Sequence, residues 1–249
     1  MKKTACIYIL LYFILNISIT AQNKKGNIYV LVVGVSEYSN PSDNLAYPKK
    51  DAIEVYNLFS KQTTPSKTKL LTNQSATHRN ILVAARQLFT NTKSEDIVIF
   101  YFSGHGYKGG FAAHDAGLPY SDLKKIFKQT KAKRKIIFAD ACYSGDIRGR
   151  KTNRSDNSIK VGNDKVCLFL SSRSNQTSME SSLLKNGSFT YFLIDGLKGK
   201  ADTDRNNIIT AREIFNFVNP KVKQYSNGEQ VPVMWGKFDN KMEILNWNK

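Results

Sequence analysis

Cys142 and His105 are the two residues of this chain that could do chemistry together. His105 stands in Tyr101-Phe102-Ser103-Gly104-His105-Gly106 and Cys142 in Asp140-Ala141-Cys142-Tyr143-Ser144-Gly145. A thiol at its ordinary pKa is a poor nucleophile at neutral pH, and an imidazole that takes its proton makes the thiolate. Such a pair is distant in sequence and adjacent in the fold. The neighbouring glycines let the main chain come close to a ligand. Asp140 precedes the cysteine by two positions, so strand alternation puts it on the thiol's side. A carboxylate there would raise the thiol's pKa and hinder catalysis. Pairing with a substrate Arg or Lys gives it a use; accepting backbone hydrogen bonds at the strand end is the plainer alternative.

The elements that must position these residues are legible around them. Ile97-Val98-Ile99-Phe100-Tyr101-Phe102 precedes the histidine motif and Ile136-Ile137-Phe138-Ala139 precedes the cysteine motif. Apolar runs this short, rich in β-branched and aromatic residues, read as buried strands of an α/β sheet. In open sheets of that kind chemistry sits past the carboxyl ends of the strands. Further strands are expected over 27–36, 69–71, 165–172 and 231–235. Helices are expected from Pro48, over 78–90 with Thr77 as cap, over 122–129 with Ser121 as cap, over 188–197 and over 210–222. Gly109, Gly110 and Gly117 suggest a mobile loop over the site. His114, within that loop, lacks the strand-end placement of His105.

The two motifs, S-G-H-G and D-A-C-Y-S-G, resemble those of the caspase-like cysteine peptidases, closest to the metacaspase and bacterial orthocaspase branch. The resemblance spans roughly residues 28–240. It implies a three-layer α/β fold with a mostly parallel central sheet, a His105–Cys142 dyad, and an oxyanion hole from the backbone N–H groups of Gly106 and Cys142. Asp51 falls on the family's acidic position in Leu45-Ala46-Tyr47-Pro48-Lys49-Lys50-Asp51-Ala52, where Tyr47 and Pro48 replace the usual small residues. With Asp140 it would form an acidic S1 pocket, and cleavage after Arg or Lys is expected. No cofactor is required for that chemistry. A catalytically silent module of the same fold, or a ligase that passes the thioester to an amine, uses the same residues.

Met1-Lys2-Lys3 followed by the apolar stretch Ala5–Ile19 and Thr20-Ala21 reads as a secretory signal over 1–21. The apolar stretch is shorter than the roughly 20 residues a spanning helix needs, so residues 22–249 are expected as one exported domain, periplasmic or secreted, without a membrane span. The formal net charge is +17; this favours anionic partners, but the Lys and Arg are scattered and no aromatic-interleaved motif points to a specific nucleic acid. Of the remaining cysteines, Cys167 lies in an apolar run and reads as a buried thiol. The polar stretch 146–164 carries Arg148, Arg150, Lys151 and Arg154. For an enzyme that cuts after basic residues it is a candidate processing site. Lastly, Asp202, Asp204, Asn206, Ile208, Thr210 and Glu213 have the spacing of an EF-hand calcium loop, with Asn207 where glycine is standard; a capped turn is the alternative.

Overall fold

The computed structural model of the chain describes residues 26–64, 67–107, 109–141, 165–171, 180–181, 183–236 and 239–248. The expected signal (1–21), Cys142 and the basic stretch 146–164 lie outside the described residues. The first half consists of β1 (Ile28–Gly34), α1 (Pro48–Ser60), β2 (Thr68–Thr72), α2 (His78–Phe89) and β3 (Ile97–Ser103). Three short strands follow, β4 (Gly106–Tyr107), β5 (Gly110–Ala112) and β6 (Gly117–Pro119), and then α3 (Tyr120–Gln129), β7 (Arg134–Asp140) and β8 (Lys165–Leu170). The chain continues through β9 (Glu180–Ser181), β10 (Asn186–Gly187), α4 (Ser188–Asp195), β11 (Ile208–Thr210), α5 (Ala211–Tyr225), β12 (Val233–Trp235) and β13 (Glu243–Asn246).

Six strands form the central sheet in the order β12-β8-β7-β3-β1-β2. All neighbours are parallel except β12, which runs antiparallel to β8. Alternation splits the apolar side chains between two faces. Leu31, Val33, Val98, Phe100 and Ile137 pack under α2 and α3. Val30, Val32, Ile99, Tyr101 and Phe138 pack under α1, α4 and α5. The result is the expected three-layer α/β arrangement. The strands are apolar throughout because both faces are covered.

The order of connection locates a crevice. From β1 the chain passes outward to β2, and from β2 it returns across β1 to β3 on the other side. The loops leaving β1 and β3 therefore diverge, and ligands bind at such switch points outside the carboxyl ends of the strands. His105 follows β3, and the ladder between these two strands continues past their ends with Val35 N–H donating to the Ser103 carbonyl at 3.0 Å.

The glycine-rich segment after His105 is not the mobile loop its composition suggests. β5 pairs antiparallel with both β4 and β6. Phe111 anchors this small sheet, fully buried, stacked on Phe102 with ring centroids 4.3 Å apart and edge-on to Tyr120 at 4.9 Å. One large aromatic side chain outweighs the glycines around it. α3 likewise begins two residues early, at Tyr120, and Ser121 is not its cap; the preceding residue is Pro119, with no side-chain cap.

β1 and α1 approach closely at Gly34. A Cβ there would run into the Pro48 carbonyl oxygen and lie 2.5 Å from the Ala52 Cβ. Pro48 starts the helix that carries Asp51, so this contact sets the helix's height over the sheet. Gly34→Ala should lower the stability by about 1–3 kcal/mol, the usual cost of overpacking, read as a lower urea midpoint at unchanged slope. An unchanged midpoint would show that the helix yields freely. Among the described residues no helix is long and apolar enough to cross a membrane.

Candidate active site

His105 is held on three sides. Its backbone N–H donates to the Tyr38 hydroxyl at 2.8 Å, and the Tyr38 ring lies 5.0 Å from the imidazole. Its Nε2 lies 2.8 Å from the Asp43 carbonyl oxygen. A carbonyl only accepts, so Nε2 carries the proton, and in the neutral ring Nδ1 holds the lone pair. Tyr38 and Asp43 both belong to the loop leaving β1. That loop is braced by Tyr38 N–H on Asn44 Oδ1 (2.9 Å) and by the 3-10 turn Pro41–Asp43, which Asn40 caps. Gly104, at φ +151°, lies beside Tyr38: a Cβ at this position would sit 2.8 Å from the hydroxyl oxygen. The glycine of the motif is thus required by Tyr38 as well as by its backbone angle.

His114 is committed elsewhere. Its Nδ1 donates to the Glu37 carbonyl at 2.7 Å and its backbone N–H to the Ala76 carbonyl, so it ties the β5–β6 turn to the loops after β1 and β2. His78 lies 3.2 Å from Asp122 in the first turn of α2. Cys167 is buried and free, and burial pushes its thiol well up, away from reactivity. Gly106 opens β4, directly after His105.

Asp51 and Asp140 come together under the other face of the same sheet end, though 89 residues separate them in sequence. Both are buried, at 1% and 5% exposure. Asp51 accepts from Ser103 Oγ at 3.0 Å, Asn186 Nδ2 at 2.9 Å and the Gly187 N–H at 3.2 Å. Asp140 Oδ2 accepts from the N–H (3.1 Å) and hydroxyl (2.8 Å) of Thr190. Gly187 and Thr190 sit at the start of α4, so the amino end of one helix faces both carboxylates and its dipole favours negative charge there. Both acids crowd one face of Gly187: a Cβ at that position would run into Asp140 Oδ2 and lie 3.1 Å from Asp51 Oδ2. Burial, and secondly the charge of Asp140, hold the Asp51 carboxyl well above its usual range, against the lowering effect of its hydrogen bonds. The arrangement brings two buried acidic side chains together at this end of the sheet.

Sequence reasoning placed His105, Asp51 and Asp140 at strand and helix ends but missed their supports. Ser103 and Thr190 were visible as polar residues inside S-G-H-G and Gly187-Ser188-Phe189-Thr190. Asn186 was not singled out. It donates to both Asp51 and Glu54 (2.9 and 3.0 Å) and accepts from Lys50 at 2.6 Å, which links the pair to the Lys50–Glu54 ion pair on the surface of α1. The Asp43 carbonyl has no side-chain signal at all.

The Asp202 loop is a tightly wound turn. Arg205 and Asn207 have φ of 59° and 63°, so Asn does take the left-handed place of glycine. Carboxylate oxygens of Asp202, Asp204 and Glu213 all lie within 4.8 Å of one another. Yet Asp202 accepts from the Asn206 and Asn207 N–H groups, Asn206 Oδ1 from Ile208 N–H, and Glu213 from Thr203 and Thr210, the last pair being a capping box. Partial burial opposes ionisation of Glu213, but these donors outweigh it and hold its carboxyl below the usual range. The turn is therefore capped and acidic at once. β11, within it, pairs with β13.

The family model for the caspase domain matches residues 28–242. No curated protein sequence matches the chain. Among solved structures, caspase-1 of Spodoptera frugiperda is similar at 18% identity with a TM-score of 0.66, over 88% of this chain and 89% of that one. A protein of Geobacter sulfurreducens, GSU0716, is similar at 16% identity with a TM-score of 0.64, over 86% of this chain and 94% of that one. At these identities the likeness is one of fold. The family match takes in the histidine motif, the cysteine motif and both acidic positions, and the chain belongs to the caspase-domain family of cysteine peptidases.

Proposed function

We propose that this chain is an exported endopeptidase of the metacaspase type that cleaves after Arg or Lys, with Cys142 as nucleophile and His105 as its base. The observation that supports it best is the pair of buried carboxylates, Asp51 and Asp140, at the sheet end that carries His105. An acidic pair favours a cationic ligand, and a guanidinium or ammonium group of a substrate is the cation that a peptidase meets. The thiolate would attack the scissile carbonyl, and the proton taken by His105 would go to the leaving amine. The backbone N–H groups of Gly106 and Cys142 are assigned to the oxyanion. Water, or an amine in a ligase, would then release the acyl group from Cys142. Arg148, Arg150, Lys151 and Arg154, just past the nucleophile in sequence, are the sites assigned to self-cleavage.

The Asp202 loop offers oxygen donors only, the set that suits calcium, held by Asp202, Asp204 and Glu213 with Asn206, the Ile208 carbonyl and Thr210. Calcium binding there would have to displace donors that the carboxylates already hold. One experiment addresses these points: cleavage of fluorogenic peptides with Arg, Lys or Asp at P1 by residues 22–249, with and without calcium, while fragment masses are followed. Arg and Lys peptides are expected to be cut and Asp peptides spared, with fragments ending at the basic residues of 146–164. Preferred cleavage after Asp would overturn the basic-pocket assignment.

A further inference from the structure

The donors that hold Asp140 form a directed chain. Thr190 has one hydroxyl proton, and it goes to Asp140 Oδ2 at 2.8 Å. The Tyr101 hydroxyl lies 2.6 Å from the same Thr190 oxygen. With the threonine proton already committed, Tyr101 must be the donor, and the order runs Tyr101 O–H to Thr190 O–H to Asp140. Both side chains are fully buried. Tyr101 projects from the middle of the sheet toward the face that carries the acidic pair, and the charges of Asp51 and Asp140 add to burial in keeping its phenol protonated. Thr190 adds its backbone N–H to the same carboxylate oxygen. A hydroxyl polarised by a second hydroxyl donates more strongly. Neither residue needs to touch a substrate for this to matter.

We propose that Tyr101 and Thr190 are positioning residues for basic-side-chain recognition, a two-hydroxyl relay that orients the Asp140 carboxylate toward the cation of an Arg or Lys substrate. The inference rests on the acidic-pocket assignment above and deepens it. One carboxylate oxygen is spent on Thr190, and this fixes the plane of the carboxylate. A fixed plane also fixes where Oδ1 lies, and so where a guanidinium or ammonium group would meet it. Without the relay only the Thr190 N–H still holds that oxygen, the carboxylate is less firmly oriented, and the cation meets a less well placed acceptor. The loss therefore falls on KM and on discrimination by charge, not on the acylation step.

The test uses the full chain with Thr190→Val, Thr190→Ser and Tyr101→Phe, on matched peptides with Arg or its uncharged analogue citrulline at P1. Thr190→Val should lower kcat/KM for the Arg peptide about 10- to 100-fold, the worth of a hydrogen bond to a charged group, chiefly through KM. Tyr101→Phe should give a smaller loss of the same kind, and Thr190→Ser should restore it. Alkylation of Cys142 by iodoacetamide should proceed at the parent rate in all three. Equal losses on Arg and citrulline peptides, or a Thr190→Ser protein as poor as Thr190→Val, would mean that these residues only support the fold. Unchanged Arg kinetics in Thr190→Val and Tyr101→Phe would overturn the relay while leaving the acidic pocket standing. A parent protein that cuts Arg and citrulline peptides equally would instead remove the pocket on which the relay depends.

Discussion

Replacing His105 with alanine should reduce kcat/KM on Arg peptides by about 10²–10⁴-fold, the range that general acid–base catalysis contributes. The geometry says why so much hangs on one ring. The Asp43 carbonyl accepts a hydrogen bond from Nε2–H at 2.8 Å, so the neutral imidazole can only present a lone pair from Nδ1. Tyr38 fixes the residue's main chain at 2.8 Å, and the ring has little freedom to exchange its two nitrogens. In the proposed mechanism a base in the right tautomer is thus ready before any substrate arrives. On the proposed assignment, His105→Ala removes both the base and the acid. Its thiol loses the base and keeps Asp140 two positions away, so alkylation by iodoacetamide should rise only at or above the ordinary thiol range. The parent should react at lower pH. Adding Cys142→Ala to His105→Ala should cost nothing more than either alone, since the two act as one unit. A His105→Ala protein with more than a tenth of the parent activity would exclude the histidine as the base.

How far these residues were legible in the sequence follows from what holds them. Strands buried on both faces are nearly continuous apolar runs, so β1, β3, β7 and β8 stand out, and their ends mark the site. Gly104 of the histidine motif stands out as well, because it leaves room that a side chain would fill. The β4–β6 sheet does not stand out, because its strands are two or three residues long and its one anchor, Phe111, gives no period. Contacts made through main-chain atoms leave no trace in residue type. The Asp43 carbonyl on His105 is one. The Thr190 and Gly187 N–H groups on the acidic pair are others, and they explain how two carboxylates 89 residues apart can share one buried place. Ser36 is a third kind of hidden support. Its hydroxyl, at the end of β1, accepts the Lys49 N–H at 2.9 Å and caps α1 from outside the helix.

Asp140→Asn should cost about 10²-fold or more in kcat/KM on Arg and Lys peptides, because it leaves a substrate cation in a buried site with half its counter-charge. Its pH profile should carry a second signature. Burial first, and Asp140 second, raise the Asp51 carboxyl well above its usual range. The groups facing it are Ser103 and Tyr101 from β3, Asp140 from β7, and Asn186 with Gly187 from β10; Lys50 and Glu54 of α1 reach it only through Asn186. Cation binding needs the carboxylate form, so affinity for Arg peptides should fall as pH drops through the raised value. In Asp140→Asn the repelling charge is gone, the Asp51 carboxyl drops toward its ordinary range, and the acid limb should move to lower pH even as the plateau falls. Stability runs the other way. A carboxyl whose folded pKa lies above its unfolded value of about 3.9 contributes stability that is complete below that value and is lost as pH rises through the folded one. Lowering the folded value therefore removes a liability at neutral pH, and Asp140→Asn should melt at a higher temperature than the parent at pH 7 but not at pH 4. Loss of activity together with a gain of stability would mark the pair as kept for binding at the expense of the fold. A variant both inactive and less stable at pH 7, with its acid limb unmoved, would make Asp140 a helix cap for α4 and nothing more.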